Sequence, residues 1–394
     1  MASTRYLIVG AGLTADAAVR GIREVDSEGR ITLLGDEPDP PYARPPLSKK
    51  LWAGKDESTV WRHTEEVPGV EMLLGRRAVE LDAAAKTVRD AGGGEHRFDR
   101  VLLATGGRPR RLPFGGDDIV YFRTFRDYKR LREMAKPGRR FAVIGGGFIG
   151  SEVAAALAGQ ECEVTLLFPD PGIGTRIFPA ELASFLVRYY REHGVDARPG
   201  EQVVGVERRD GRHEVRTRSG WSGTFDGVVA GIGIEPNVEL AQQAGLTVDD
   251  GILVDERLRA SSPDVFAAGD VARFEAPALG KRIRVEHEDN ALTMGKAAGR
   301  SMAGDATPYA HLPFFYSDLF ELGYEAVGEL DPRLETFADW QEPFQKGVVY
   351  YLADGRVRGV LLWNTWDQVD AARALIAEPG PLRPADLRGR ISSP

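Results

Sequence analysis

Phe141-Ala-Val-Ile-Gly-Gly-Gly-Phe-Ile-Gly-Ser-Glu152 is an apolar run, a glycine turn and the start of a helix. The four apolar residues read as a buried parallel strand. Gly145, Gly147 and Gly150 then stand in the order Gly-x-Gly-x-x-Gly. At a strand-to-helix junction the first glycine allows the tight turn, and the second lets backbone approach a pyrophosphate. The third lets helix pack on strand, and the helix N-terminus turns its partial positive charge toward the phosphates. One such turn is a weak signal, because glycine-rich turns also serve ordinary structure. A second, Leu7-Ile-Val-Gly-Ala-Gly-Leu-Thr-Ala15, repeats the layout 135 residues earlier. Gly10 and Gly12 hold its first two places and Ala15 the third, an exchange the pattern tolerates.

A further repeat supports duplication. Phe98-Asp-Arg-Val-Leu-Leu-Ala-Thr-Gly-Gly107 returns as Phe225-Asp-Gly-Val-Val-Ala-Gly-Ile-Gly233, 127 residues on. The expected fold is therefore α/β, with two related Rossmann-like nucleotide-binding domains. Segment 251–270 ends in Val265-Phe-Ala-Ala-Gly-Asp270. It delivers Asp270 to a strand–helix junction, where ligands collect in open α/β sheets. Near the end, Lys346–Leu352 and Val357–Trp363 flank Asp354-Gly355, a hairpin signal, and a helix with Val369, Ala372, Leu375 and Ile376 inside follows. This part reads as a C-terminal α+β domain with an antiparallel sheet. The boundaries expected are 1–113 with 235–312, then 114–234, then 313–394.

Two carboxylates close the nucleotide pattern. Asp36 follows the strand Ile31–Leu34, 21 residues beyond Ala15, where a ribose acceptor belongs. A solvated acidic turn is its plainer reading. Asp170 follows the strand Glu163–Phe168 and favours the ribose diol of NADH over the extra phosphate of NADPH. Arg176, six residues on, would meet a pyrophosphate or, less comfortably, a 2′-phosphate. NADH is the expected nucleotide.

The loop Pro40-Pro-Tyr-Ala-Arg-Pro-Pro-Leu-Ser-Lys-Lys-Leu-Trp52 is stiffened by four prolines and presents Arg44 and Lys49. It suits the holding of an anion and the placing of an amine, and would equally serve as a rigid surface loop. Glu152 sits four residues after Phe148 on a helix whose remainder is small and apolar. It is expected to be buried and functional rather than a wet edge residue.

Taken together, these motifs resemble the FAD-dependent pyridine nucleotide-disulfide oxidoreductase-like family, of the ferredoxin reductase and apoptosis-inducing factor type. Arg44-Pro-Pro-Leu-Ser-Lys49 is similar to that family's proline loop. The resemblance implies FAD in the first domain, which is discontinuous, and NAD in the second. It implies hydride transfer from NADH to flavin N5. Arg44 would touch the FAD phosphates, and Lys49 would sit at N5, paired with Glu152. Phe148 would gate or stack on the nicotinamide. Gly269 and Asp270 would bind the ribitol chain, and Glu286 and His287 would face the flavin and nicotinamide. Ala104, Thr105 and Gly106 fall on the FAD side and Gly233 on the NAD side. Phe315-Tyr-Ser-Asp318 and Gly323-Tyr-Glu-Ala-Val-Gly328 resemble the C-terminal domain of apoptosis-inducing factor. Tyr316 stands there where the family usually has Trp beside the isoalloxazine. The mitochondrial targeting segment is not matched, which implies a bacterial-type homologue.

Composition excludes other classes. A net charge of -8 argues against bulk binding of nucleic acid. No apolar run approaches the ~18 residues of a membrane span, and a strand from about Arg5 leaves no room for a signal peptide. A cytoplasmic location is expected. Cys162 is the sole cysteine. That leaves no disulfide within the chain and no cysteine metal site. The resemblance puts Lys49 in the loop where a flavin-facing cysteine would sit, which closes the disulfide-reductase and thiol-peroxidase routes. A lone His287 beside carboxylates reads as a polar contact rather than a metal ligand. The electron acceptor expected is a ferredoxin-type iron–sulfur protein or a small acceptor such as a quinone. Clusters at Arg108/Arg110/Arg111, Arg123/Arg126/Lys129/Arg130 and Lys281/Arg282/Arg284 would dock an acidic partner, or are plain solvated faces. The alternative is an NADH-sensing flavoprotein that forms a long-lived reduced complex and dimerises or recruits a partner.

Overall fold

A computed structural model describes residues 3–391. The chain divides by packing into two units. The first is made of the chain to Ala43, Ser58–Arg108 and Glu235–Pro313. Its centre is a five-stranded sheet in the order Val265–Ala267, Arg100–Leu103, Arg5–Val9, Arg30–Leu34, Val70–Leu73, every pair parallel. The strands are almost wholly apolar because both faces are covered. Helix Leu13–Arg23 packs closely on helix Glu288–Met302, and Gly299 shows why: a Cβ there would lie 2.1 Å from the Ala18 carbonyl oxygen.

The second unit is made of Arg44–Glu57, Pro109–Ile234 and Phe314–Pro394. It repeats the parallel sheet, in the order Val195–Pro199, Glu163–Phe168, Arg140–Ile144, Gly227–Ala230, Ile119–Tyr121. Each unit also carries a three-stranded antiparallel sheet at the same point of its motif, Ala78–Arg97 in the first and Val203–Phe225 in the second. The duplication therefore extends beyond the glycine turns. One strand differs in origin. The strand beside Arg100–Leu103 comes from later in the chain (Val265–Ala267), whereas the strand beside Gly227–Ala230 comes from earlier (Ile119–Tyr121).

The remainder of the second unit is an antiparallel sheet, ordered Phe314–Leu319, Leu322–Gly328, Arg356–Trp363, Lys346–Ala353, Glu335–Glu342. Its central hairpin turns at Asp354 and Gly355 with φ of 52° and 69°, as a two-residue turn with both residues left-handed requires. Helix Val369–Ala377 covers it through Ala372, Leu375 and Ile376. The fold is thus two Rossmann-like α/β folds, the first discontinuous, with an antiparallel α+β region at the C-terminal end.

The proline loop packs within the second unit. Pro45–Ser48 forms a 3-10 turn. Trp52 meets Tyr128 edge-on at 5.8 Å and lies under the Arg132 guanidinium at 5.2 Å. The Trp52 carbonyl accepts from Gln160 at 3.1 Å.

Candidate active site

Both glycine turns have the shape a pyrophosphate needs. Gly10 has φ of +125°, and a Cβ there would fall 2.2 Å from the Ala104 carbonyl oxygen. Gly145 matches it, at φ of +113° and 2.4 Å from the Gly231 oxygen. At Gly12 and Gly147 a Cβ would meet nothing within 4 Å, so backbone there faces open space. The helices begin at the next residue, Leu13 and Phe148, without a side-chain cap, leaving their first N–H groups for a ligand. Gly150 is needed for packing, since its Cβ would lie 1.8 Å from the Gly145 oxygen. Ala15 fills the matching place in full burial. These two cradles fit two dinucleotides.

In the first unit the remaining candidates gather at the carboxyl ends of the parallel strands. Asp36 is exposed just past Arg30–Leu34. Ala104 follows Arg100–Leu103, and Thr105 and Gly106 are tied to Asn237 by side-chain and backbone bonds. Gly269 has φ of +78°, with a Cβ position 2.3 Å from Thr14 Oγ1, so Asp270 is carried to the start of the first helix. Arg284, almost buried, donates to the Asp270 carbonyl at 3.1 Å and to Glu286 at 2.5 Å. His287 is the N-cap residue of helix Glu288–Met302.

In the second unit Asp170 and Arg176 are exposed in the stretch after Glu163–Phe168, and Gly233 follows Gly227–Ala230. Phe148 is 37% exposed beside the glycine turn and meets Phe315 edge-on at 5.5 Å. Arg44 donates to the Arg123 carbonyl at 2.9 Å.

The centre of this unit is Glu152. Its side chain is 4% exposed and forms the expected ion pair with Lys49, itself 9% exposed. Two further donors were not foreseen. Ser48 donates to Glu152 Oε2 at 2.5 Å, and Ser317 donates to Oε1 at 2.5 Å. Lys49 Nζ also lies 5.1 Å from the Tyr316 ring centroid, within cation–π range. Asp318, next on that strand, has its pKa raised by burial, with the Lys49 charge opposing this and the Glu152 charge adding a smaller upward push. Burial pushes the Tyr190 and Tyr324 hydroxyls far up, and the Glu152 charge adds to this, so both phenols are neutral.

Ser48 stands next to Lys49 in the sequence, and Ser317 shares a strand face with Phe315 and Leu319. Nothing local marks either as a partner of Glu152. Cys162 is buried, its thiol pKa is raised by that burial, and its S–H points at the Lys136 carbonyl. The basic clusters are largely met by local acids. Arg108 pairs with Glu235 and Glu239, Lys129 with Glu57, Arg282 with Glu275, and Arg284 with Asp250 and Glu286. Among the described residues no helix is long and apolar enough to cross a membrane.

Known proteins match over the whole chain. The family description pyridine nucleotide-disulphide oxidoreductase matches residues 4–295. A second, for the C-terminal part of mitochondrion-associated apoptosis-inducing factor, matches 298–343 and 338–378. Putidaredoxin reductase of Pseudomonas putida is 33% identical over 100% of this chain and 96% of its own. The ferredoxin–NAD(+) reductase component of the anthranilate 1,2-dioxygenase system of Burkholderia cepacia is 33% identical over 98% of each. Apoptosis-inducing factor 1 of Dictyostelium discoideum is 34% identical over 94% of this chain and 78% of that protein. Among solved structures, the covalent putidaredoxin reductase–putidaredoxin complex superposes with a TM-score of 0.92 at 32% identity, over 98% of this chain and 95% of that one. With two glycine cradles, a continuous family match and relatives aligned end to end, the chain belongs to the pyridine nucleotide-disulphide oxidoreductase family, in its ferredoxin reductase and apoptosis-inducing factor branch.

Proposed function

We propose that the protein is an FAD-dependent NADH oxidoreductase that passes electrons to a ferredoxin-type iron–sulfur protein or to a small acceptor such as a quinone. The observation that carries this reading is the enclosed Lys49–Glu152 pair, in the same unit as the second glycine cradle. FAD, when bound, accepts a hydride from NADH and releases the electrons singly. The chain's own residues bind, orient and supply charge. Gly10, Gly12 and Ala15 seat one pyrophosphate on the first helix, with Asp36 on its ribose. Arg44 meets the FAD phosphates, and Ala104, Thr105, Gly106, Gly269, Asp270, Glu286, His287 and Tyr316 complete the FAD side. Gly145, Gly147 and Gly150 seat the NADH pyrophosphate, with Asp170, Arg176 and Gly233 around it. Phe148 shields the nicotinamide. Lys49, held by Glu152, would stabilise negative charge arriving on the ring. We place the protein in the cytoplasm.

The test is anaerobic reduction by NADH followed by mixing with ferredoxin or quinone. Rapid flavin reoxidation supports the reductase. A long-lived reduced complex that changes mass supports the second reading, an NADH sensor, which the apoptosis-inducing factor match at residues 298–378 favours. A protein that binds no flavin, or whose flavin NADH does not reduce, ends both.

A further inference from the structure

The carboxylate of Glu152 is held by more than its cation. Oε1 receives Lys49 and Ser317, and Oε2 receives Ser48. The three donors come from the proline loop and from strand Phe314–Leu319. Ser317 is fully buried, at an inward position where its neighbours Phe315 and Leu319 are apolar. A hydroxyl there is costly unless it is bonded. It is satisfied by Glu152, and the residue opposite it on the neighbouring strand is Tyr324. Without the hydroxyls, the terminal torsion of a glutamate has only a broad preference. The charged and titratable groups around Glu152 are Lys49, Asp318, Tyr190 and Tyr324, and the two phenols are neutral by burial.

We infer that Ser48 and Ser317 are positioning residues for Lys49: they fix the Glu152 carboxylate so that the ammonium has one resting place. Through Ser317 the antiparallel C-terminal region takes a direct part in setting the charge presented by the proline loop. This inference rests on the role given above to Lys49.

The experiment uses the full-length FAD-loaded protein carrying Ser317→Ala, Ser48→Ala or Ser317→Thr. Losing a hydrogen bond to a charged group should slow hydride transfer roughly tenfold in Ser317→Ala, leaving the NADH dissociation constant unchanged. The flavin midpoint potential should become more negative, and Ser317→Thr should restore most of both. A second readout needs no flavin. Acetic anhydride should acylate Lys49 several-fold faster in the alanine variants than in the parent, because an amine no longer held on a fixed carboxylate reaches the reagent more often. Peptide mapping by mass spectrometry measures this in the apoprotein. A folded Ser317→Ala protein with unchanged potential and unchanged Lys49 reactivity overturns the inference. If Ser317→Ala does not fold, Ser48→Ala decides by the same two measurements. A parent protein that NADH cannot reduce defeats the functional reading alone, and the acylation rates still decide whether the hydroxyls hold the pair.

Discussion

The two nucleotide folds each hide a carboxylate in the helix that follows the glycine turn, and they hold it in different ways. Asp16, fully buried, accepts from Arg20 and Arg62 at 3.0 Å and from Thr64 at 2.8 Å. Those arginine side chains are 44% and 33% exposed, so they reach water. The cluster braces the first helix against the segment around residue 62. Glu152 meets one ammonium that is almost enclosed and lies near an aromatic ring. A buried carboxylate alone therefore does not mark chemistry. The two differ in the surroundings of the cation: Arg20 and Arg62 reach water, whereas Lys49 is almost enclosed.

The largest effect should come from the glycines that repeat between the folds. Gly150→Val puts a side chain into the Gly145 carbonyl. It should lower the rate of flavin reduction by NADH at least ~100-fold, given overlaps that cost upwards of ~3 kcal/mol, and leave FAD bound. Gly10→Val, overlapping the Ala104 carbonyl, should instead yield colourless protein. Visible absorbance and stopped-flow reduction read the two outcomes, and an exchange of phenotypes would reverse the assignment of the cradles.

Next is the contrast between the carboxylates themselves. Asp16→Ala should cost about 2 kcal/mol, below the usual figure for a broken buried pair because its arginines can turn to water. Its flavin reduction should stay within roughly twofold of the parent, since only stability was lost. Glu152→Gln should slow reduction about tenfold and, because its almost enclosed ammonium cannot turn to water, should also cost about 3 kcal/mol. Urea unfolding and single-turnover kinetics on both variants test this, and equal kinetic damage in the two would erase the distinction.

A smaller effect is expected at the exposed Asp170. Asp170→Asn should narrow the preference for NADH over NADPH by about fivefold, the low end for a polar contact in water. An unchanged ratio of kcat/KM values would leave Arg176 as the discriminating residue.

The smallest concerns Asp318. Its folded pKa is raised, so the native state holds a proton more tightly than the unfolded chain does. Stability from this group is full below the unfolded carboxylate value near ~4 and is lost as pH rises through the folded value. Asp318→Asn should thus stabilise slightly at pH 7, by less than ~1 kcal/mol: the carboxylate is crowded by its neighbours, but enough of the residue still reaches water to screen the charge. The gain should vanish in acid. Melting temperatures across pH measure it, and a gain that grows in acid would contradict the sign.

Much of this was legible in the sequence because it is local. Glycine spacing, the two repeated strand endings and the Asp354-Gly355 turn each depend on a few adjacent residues. The Lys49–Glu152 pair was readable only by way of resemblance, since its partners lie 103 residues apart. Ser317 and the brace around Asp16 stayed hidden for the same reason. A serine between apolar neighbours, or an aspartate inside an amphipathic helix, announces burial only once distant strands have paired. The packing of the proline loop with the second nucleotide fold also depends on contacts such as Trp52 with Tyr128, which no spacing rule encodes.

The hydrogen bonds at Glu152 also impose an order of assembly. Its donors lie 104 and 103 residues before it and 165 after it. During synthesis the loop waits for the helix, and the helix then waits for the last sheet. Contacts of such long sequence separation close late, since the loop entropy must be met before they reward it. Until residue 317 has left the ribosome, the carboxylate lacks one donor and its apolar covering. A chain halted at residue 313 should therefore be trimmed readily by protease around Pro45–Ser48, and the full chain spared, even though both glycine cradles are already complete.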